Sequence, residues 1–282
     1  MSFRERVVAR ERLLGTVIAC PDLALAELAA SRLDFLWIDL EHSPLTVRDA
    51  MALSIAARAG GAATLVRLAR ADSELLTALL DAGVDGVIAP RVESAAVARD
   101  LAGAVRYPPE GRRGSAHRRA TAYGLGGLGG RAPRPRPAVE PPLCFVQIES
   151  RRAVEAADAI AATPGVDGLI VGPADLAGDL GIDRDLCDPQ LRAAITTVQR
   201  AARRAGIVSG LAAAGIPHDV AALLAEDTTL LAYFADVRLY ADAVARASEG
   251  MREVWGACAG GEGSPVSRER ERRALHKGSS DD

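Results

Sequence analysis

Short runs of Val, Ile and Leu recur along the chain, separated by Ala-rich stretches whose apolar residues fall at helical spacing. Apolar runs bounded by turn residues suit strands buried on both faces, and their alternation with helices predicts a parallel sheet covered by helices. Eight such runs are read, at 14–19, 35–39, 64–68, 86–89, 144–148, 168–171, 207–211 and 230–234. A helix precedes the first run, and further helices are read at 23–30, 47–59, 73–82, 95–105, 153–162, 189–204 and 218–225. Asp72 and Ser73 can supply an N-cap, while Gly60 and Gly83 can end the helices before them. Eight βα repeats predict a closed (β/α)8 TIM barrel with an N-terminal helix, and no GxGxxG dinucleotide fingerprint follows any strand.

Two segments break the rhythm. Residues 124–142 are too rich in Gly and Pro for a regular helix and read as a long loop or lid over the barrel. Residues 259–282 are polar and charged and read as a partly disordered tail, which leaves one barrel domain at 1–258.

A length of 282 residues matches one α/β barrel with a short extra arm. Hydrophobic residues at 49% provide for a large core, and a formal net charge of -3 gives no reason to expect nucleic acid or an anionic membrane as partner. Small molecules are the expected partners. Cys20, Cys144, Cys187 and Cys258 are scattered without CxxC or metal-finger spacing, as in reduced cytoplasmic thiols. The N-terminal stretch lacks the apolar core of a secretory signal, so a cytoplasmic location is expected.

Active sites of such barrels lie at the C-terminal ends of the strands. The second strand ends in Asp39-Leu40-Glu41-His42, the third in Arg67, the fifth in Gln147-Ile148-Glu149 and the sixth in Gly172-Pro173-Ala174-Asp175. Glu149 and Asp175 come from neighbouring strands and could share one divalent cation; oxygen ligands favour Mg2+ or Mn2+, with Co2+ or Zn2+ compatible. On spacing alone each could equally cap a helix or pair with an arginine. Asp175 also sits where a helix begins, and the free N–H groups near Ala174 and Asp175 could bind a substrate carboxylate. His42 is the only one of four histidines placed just after a strand end, which makes it a candidate for proton transfer against the plainer reading of a surface histidine. A buried Arg67 needs an anionic partner: a substrate enolate or carboxylate, or else Glu41 or Asp39.

At these residues the sequence resembles the class II pyruvate aldolases of the HpcH/HpaI family, from about Phe3 to about Ala243. Four segments carry the likeness: FLWIDLEHSPL; TLVRL with LLDAGVDGVIAPRVES; RYPPEGRRGSA; and FVQIES with PGVDGLIVGPADLAGDLG. The resemblance implies that Glu149 and Asp175 are metal ligands and that Arg67 contacts the keto or enolate oxygen. It implies that His42, oriented by Asp81, handles protons through a metal-bound water. It places Gln147 beside the site and makes the turn from Gly172 through Pro173 and Ala174 to Asp175 the cradle of the pyruvate carboxylate. It also implies a hexamer built from dimers that exchange a C-terminal helix, a part open to residues 237–248. Two features depart from the family pattern, the Gly/Pro-rich stretch after Tyr123 and the last strand, TTLLAYFADVRLY, which lacks the usual small residues before Asp236.

The implied reaction is aldol cleavage or formation between pyruvate, as its enolate, and an aldehyde. A lysine Schiff base is not expected, because the single lysine, Lys277, lies in the polar tail. Two other readings stand beside it: a citrate-synthase-like condensing enzyme or oxaloacetate decarboxylase on the same scaffold, and a catalytically silent binding or assembly protein.

Overall fold

The computed structural model describes residues 1–124, 141–214, 220–221, 224 and 227–259. Most of the Gly/Pro-rich stretch, part of the helix read at 218–225, and the tail beyond residue 259 lie outside the described residues. The elements run α1 (Phe3–Val8), β1 (Leu13–Ile18), α2 (Leu23–Ala30), β2 (Phe35–Asp39), α3 (Val47–Gly60), β3 (Ala63–Arg67), α4 (Leu76–Ala82), β4 (Gly86–Ala89) and α5 (Ala95–Val105). They continue with β5 (Leu143–Ile148), α6 (Arg151–Glu155), α7 (Ala157–Ala161), β6 (Gly168–Val171), α8 (Pro173–Leu180), α9 (Pro189–Ala205), β7 (Val208–Ala213), β8 (Leu230–Ala235) and α10 (Asp236–Ala259). Strands β1 to β8 pair in sequence order, all parallel, and β8 returns to β1, so the TIM barrel read from the pattern is the observed fold.

The period of two within each strand sorts the core. Leu36 and Ile38, Val66, and Cys144, Val146 and Ile148 face outward into the larger cluster under the helices. Phe35, Trp37, Leu65, Leu143, Phe145 and Ile170 face inward and fill the lumen together with Val7 of α1. The same alternation carries Asp39, Arg67, Gln147 and Glu149 to the inner face at the C-terminal rim.

The lumen closes because bulky residues oppose glycines. Phe35 is in register with Gly15 and Phe145 with Gly168. A Cβ on Gly15 would lie 2.5 Å from the Phe35 carbonyl oxygen and 2.6 Å from its ring, and one on Gly168 would lie 2.7 Å from the Phe145 ring. Each glycine is the space its neighbour's ring occupies.

At the opposite rim an aspartate precedes each of three even-numbered strands and caps the strand before it. Asp34 accepts the Leu14 N–H at 2.8 Å, Asp85 the Thr64 N–H at 2.8 Å, and Asp167 the Cys144 N–H at 2.7 Å. Asp167 also takes the fork of Arg4 at 3.1 and 3.2 Å and Arg106 at 2.7 Å, which pins the segment carrying α1 across the N-terminal rim. At the other end Asp236 accepts the N–H groups of Ala19 and Cys20 and fastens β8 to the turn after β1.

Helix ends follow local chemistry. Thr46 and Asp49 form a capping box on α3, and Gly83, Gly181 and Gly206 end α4, α8 and α9 with left-handed backbone. The α4 start differs from its reading: the helix begins at Leu76 behind a turn in which Ser73 Oγ accepts the Leu75 N–H, and no side chain caps it. Gly60 is the last residue of α3, and the left-handed cap is Gly61. The final strand also departs from regularity: the β1–β8 register shifts between Gly15 and Val17, and Phe234 has φ 61°.

The barrel unit spans Met1–Asp236, and a second unit begins at Val237, the second residue of α10. Along that helix Val237, Tyr240, Val244, Met251 and Trp255 are exposed at helical spacing. Among the described residues no helix is long and apolar enough to cross a membrane.

Filling the glycine notch should be costly. Gly15→Ala is expected to destabilise the barrel by about 1–3 kcal/mol, read as a lower urea midpoint at unchanged slope. A midpoint equal to that of the unmodified chain would show that the lumen tolerates the added methyl.

Candidate active site

Register sets the first pair. Asp39 and Arg67 are Cα partners on β2 and β3, both at the last inward position of their strands. Arg67 Nε donates to Asp39 Oδ1 at 2.8 Å and Nη2 to Oδ2 at 2.7 Å, a bidentate fork. Arg67 Nη1 lies 3.1 Å from Glu41 Oε2, a charge contact without a directed hydrogen bond, and the guanidinium sits 5.5 Å from the centroid of the Trp37 ring. Both ion-pair alternatives considered for Arg67 are therefore real, and N–H groups on Nη1 and Nη2 remain free for a ligand. Burial drives the Asp39 carboxyl up, but the Arg67 hydrogen bonds and charge, with the Glu41 and His42 N–H groups, outweigh it and hold Asp39 below the usual carboxylate range.

Those N–H bonds shape the turn after β2. Asp39 Oδ1 accepts from Glu41 at 2.9 Å and from His42 at 3.4 Å, and Ser43 Oγ donates to the Asp39 carbonyl. The turn leaves the Glu41 side chain 9% exposed and that of His42 54% exposed, with His42 Nε2 3.7 Å from Glu41 Oε2. Burial pushes the Glu41 carboxyl up, with Arg67 opposing.

Across the lumen, β5 and the residue after it present Gln147 and Glu149, both buried, each with its Oε1 lacking a hydrogen-bond partner among the described residues. A Cβ on Gly172 would lie 3.0 Å from Glu149 Oε1 and 3.2 Å from Gln147 Nε2, so the glycine at the end of β6 makes room for both side chains. Burial first, then the charges of Glu41 and Asp175, push the Glu149 carboxyl up to about 7, against the pull of Arg67 and Arg91. Asp175 stands in the first turn of α8, behind Pro173 at the helix start, where an acidic side chain complements the helix dipole.

Two cavities meet at Ala174 and Asp175. One, of about 360 Å3, is lined by His42, Arg67, Gln147, Gly172, Asp175 and Arg184. The other, of about 400 Å3, is lined by Arg91, Glu93, Glu149, Asp175, Asp179 and Arg184. The rim thus brings His42, Arg67, Gln147, Glu149, Gly172, Pro173, Ala174 and Asp175 together. Among the described residues no set of three or more His, Cys, Asp or Glu side chains surrounds one point, and Glu149 and Asp175 both line the larger of the two cavities.

Asp81 is the exception. It lies near the C-terminal end of α4, which has run back from the catalytic rim, and its Oδ1 is 3.3 Å from Arg113 Nη2. Within one chain the structure does not bring Asp81 to His42; the carboxylate beside the imidazole is Glu41. Sequence reasoning also passed over Arg91 and Arg184. Arg91 follows Pro90 with φ 54° and points its Nε 3.6 Å from Glu41 Oε1, a turn that sequence composition does not announce.

The sequence profile of the HpcH/HpaI aldolase/citrate lyase family matches residues 19–243. The 2-keto-3-deoxy-L-rhamnonate aldolase of Escherichia coli (strain K12) is 33% identical over 244 residues, covering 86% of this chain and 90% of that protein. Among solved structures, an HpcH/HpaI aldolase/citrate lyase family protein from Burkholderia cenocepacia J2315 superposes with a TM-score of 0.79 at 32% identity, covering 88% of this chain and 98% of that one. An HpcH/HpaI aldolase from Desulfitobacterium hafniense DCB-2 gives a TM-score of 0.79 at 28% identity, covering 90% and 98%. With the fold, the rim residues and the likeness over most of its length in agreement, the chain belongs to the HpcH/HpaI aldolase/citrate lyase family and is a carbon–carbon lyase.

Proposed function

We propose that the chain cleaves, and in reverse forms, the bond between the methyl carbon of pyruvate and the carbonyl carbon of an aldehyde, using a divalent cation as class II aldolases of its family do. The observation that carries this reading is Glu149: a buried carboxylate with an unpartnered oxygen, facing the charge of Asp175 beside an anchored guanidinium. Asp39, Glu41, Glu149 and Asp175 set four carboxylates against the guanidiniums of Arg67, Arg91 and Arg184, an acidic excess that a cation would offset.

Glu149 and Asp175 would hold the cation, and the all-oxygen set favours Mg2+ or Mn2+ over Co2+ or Zn2+. When bound, the cation supplies Lewis acidity toward the keto oxygen of the substrate. The N–H groups of Ala174 and Asp175 at the start of α8 receive the substrate carboxylate, with Gln147 packed beside them against Gly172. Arg67 turns its remaining N–H groups to the keto oxygen; locked by Asp39, it meets the growing negative charge without reorganising. His42, exposed at the rim beside Glu41, takes the proton of the distal hydroxyl during cleavage and returns it during synthesis. The apolar stripe of α10 suits burial against a second copy of the chain, in line with the helix-exchanged hexamer the family resemblance implies.

Incubated in D2O with Mn2+, the protein should exchange the methyl protons of pyruvate, followed by proton NMR, and excess chelator should abolish the exchange until metal is restored. Exchange that persists in chelator would refute the metal role. Arg67→Lys replaces a planar fork by a point charge and should lower kcat by about 100-fold or more; an unchanged kcat would remove Arg67 from the chemistry.

Cation binding needs Glu149 ionised, so affinity measured by calorimetry should fall up to about tenfold per pH unit below 7, with a proton released on binding. The folded metal-free chain keeps a proton that an unfolded glutamate gives up near its ordinary value. The contribution of Glu149 to stability is therefore full at pH 4 and is lost as pH rises through about 7. Equal affinity at pH 6 and pH 8 would contradict this assignment.

A further inference from the structure

The rim opposite the catalytic one holds a cavity that the reaction outlined above does not use. It measures about 290 Å3 and is lined from the start of the chain, the ends of α3 and α4, the segment before β5 and the loop that carries Arg113 and Arg119. Arg4, Arg58, Arg113 and Arg119 all face it, and Asp85 is the only carboxylate among its described lining residues. The packed lumen separates this cavity from Arg67 and Glu149. The sequence carries the same bias: residues 106–124 hold Arg106, Arg112, Arg113, Arg118 and Arg119, with Glu110 the single acid.

The four guanidiniums differ in how far they are committed. Arg4 is held by Asp167 and by the carbonyls of Pro141 and Pro142. Arg113, its side chain only 2% exposed, lies over the Tyr107 ring at 4.6 Å and meets Asp81 through Nη2, yet its Nε has no hydrogen-bond partner among the described residues. A buried N–H of a charged group without an acceptor is costly. Arg119 meets no carboxylate among the described residues: its Nη1 donates to the carbonyls of Ala82 at 2.9 Å and Gly83 at 3.3 Å. Arg58 Nη2 donates to the same Gly83 carbonyl at 3.3 Å, so two guanidiniums converge on one neutral oxygen. The carboxylate that Arg58 reaches, Asp85, is shared with the N–H and hydroxyl of Thr64. Burial first, then the charge of Arg58, hold the Arg119 guanidinium below the usual arginine value. Even with Asp81 and Asp167 counted, four guanidiniums face three carboxylates, and the excess is positive.

We propose that this cavity is an anion-binding site for a phosphate group, free or carried by a small organic ester, received by the uncommitted N–H groups of Arg58, Arg113 and Arg119. Donors from three separate side chains suit the three oxygens of a phosphate group better than the two of a carboxylate. The site stands apart from the pyruvate reading and does not depend on it.

The test is calorimetric titration of the full-length protein, in Mg2+ buffer with about 150 mM chloride to screen surface charge, with inorganic phosphate, glycerol 3-phosphate or acetate. At least one phosphate should bind saturably with a Kd of about 1 mM or lower, and acetate about tenfold more weakly. Arg119→Gln should weaken phosphate binding by about tenfold or more, and Arg119→Lys by less. Arg58→Gln, at a more exposed position, should show the same loss if Arg119→Gln fails to fold, with the thermal midpoint reporting folding in each case. Tighter binding of glycerol 3-phosphate assigns the site to the ester, and tighter binding of inorganic phosphate to the free ion. Absence of saturable binding overturns the assignment, as does acetate binding as tightly as phosphate. An unchanged Kd in the folded variants also overturns it, because phosphate held at the catalytic rim would be indifferent to both substitutions.

Discussion

The fork between Asp39 and Arg67 is the contact on which the catalytic rim depends. Two ions this deeply buried are tolerable only when their hydrogen bonds are well made, and register on adjacent strands aligns them so that both bonds stay under 3 Å. The consequences spread from there. Asp39, fixed by Arg67, takes the N–H groups of the next turn and so decides where Glu41 and His42 point. Arg67, held by Asp39, acts on Glu149 by its charge alone, and the buried carboxyl across the lumen keeps an oxygen without a hydrogen-bond partner among the described residues.

The scaffold achieves this with little more than alternation. A strand that places Phe145 inward must place Gln147 inward two residues later, then Glu149 just past its end, so the side chains that pack the lumen and those at the rim share one face. Glycine is used where that face is crowded. Gly15 and Gly168 admit the rings lower down, and Gly172 admits Glu149 and Gln147 above.

Much of this was legible in the sequence, because buried parallel strands read as apolar runs and the residue ending each run is fixed by position alone. Each of the eight apolar runs marks a strand, and Asp39, Arg67, Glu149 and Asp175 stand where those runs end. What escaped depended on distance in space. The aspartates at 34, 85 and 167 cap neighbouring strands, yet in sequence each is only an acid before an apolar run. Arg184 is one charge among several in an irregular crossing. Asp81 stands apart for a related reason: a motif shows that a residue accompanies a site, whereas within one chain the direction of α4 carries its side chain toward Arg113. The start of α4 was misread because Asp72 and Ser73 look like a cap, and Asp72 instead pairs with Arg70.

The aromatic and glycine interlock in the lumen also governs traffic. With Phe35 and Phe145 buried and filling the lumen, no side chain between the two rims is left exposed to a ligand, and whatever lies beside Glu149 enters and leaves by the C-terminal end of the barrel.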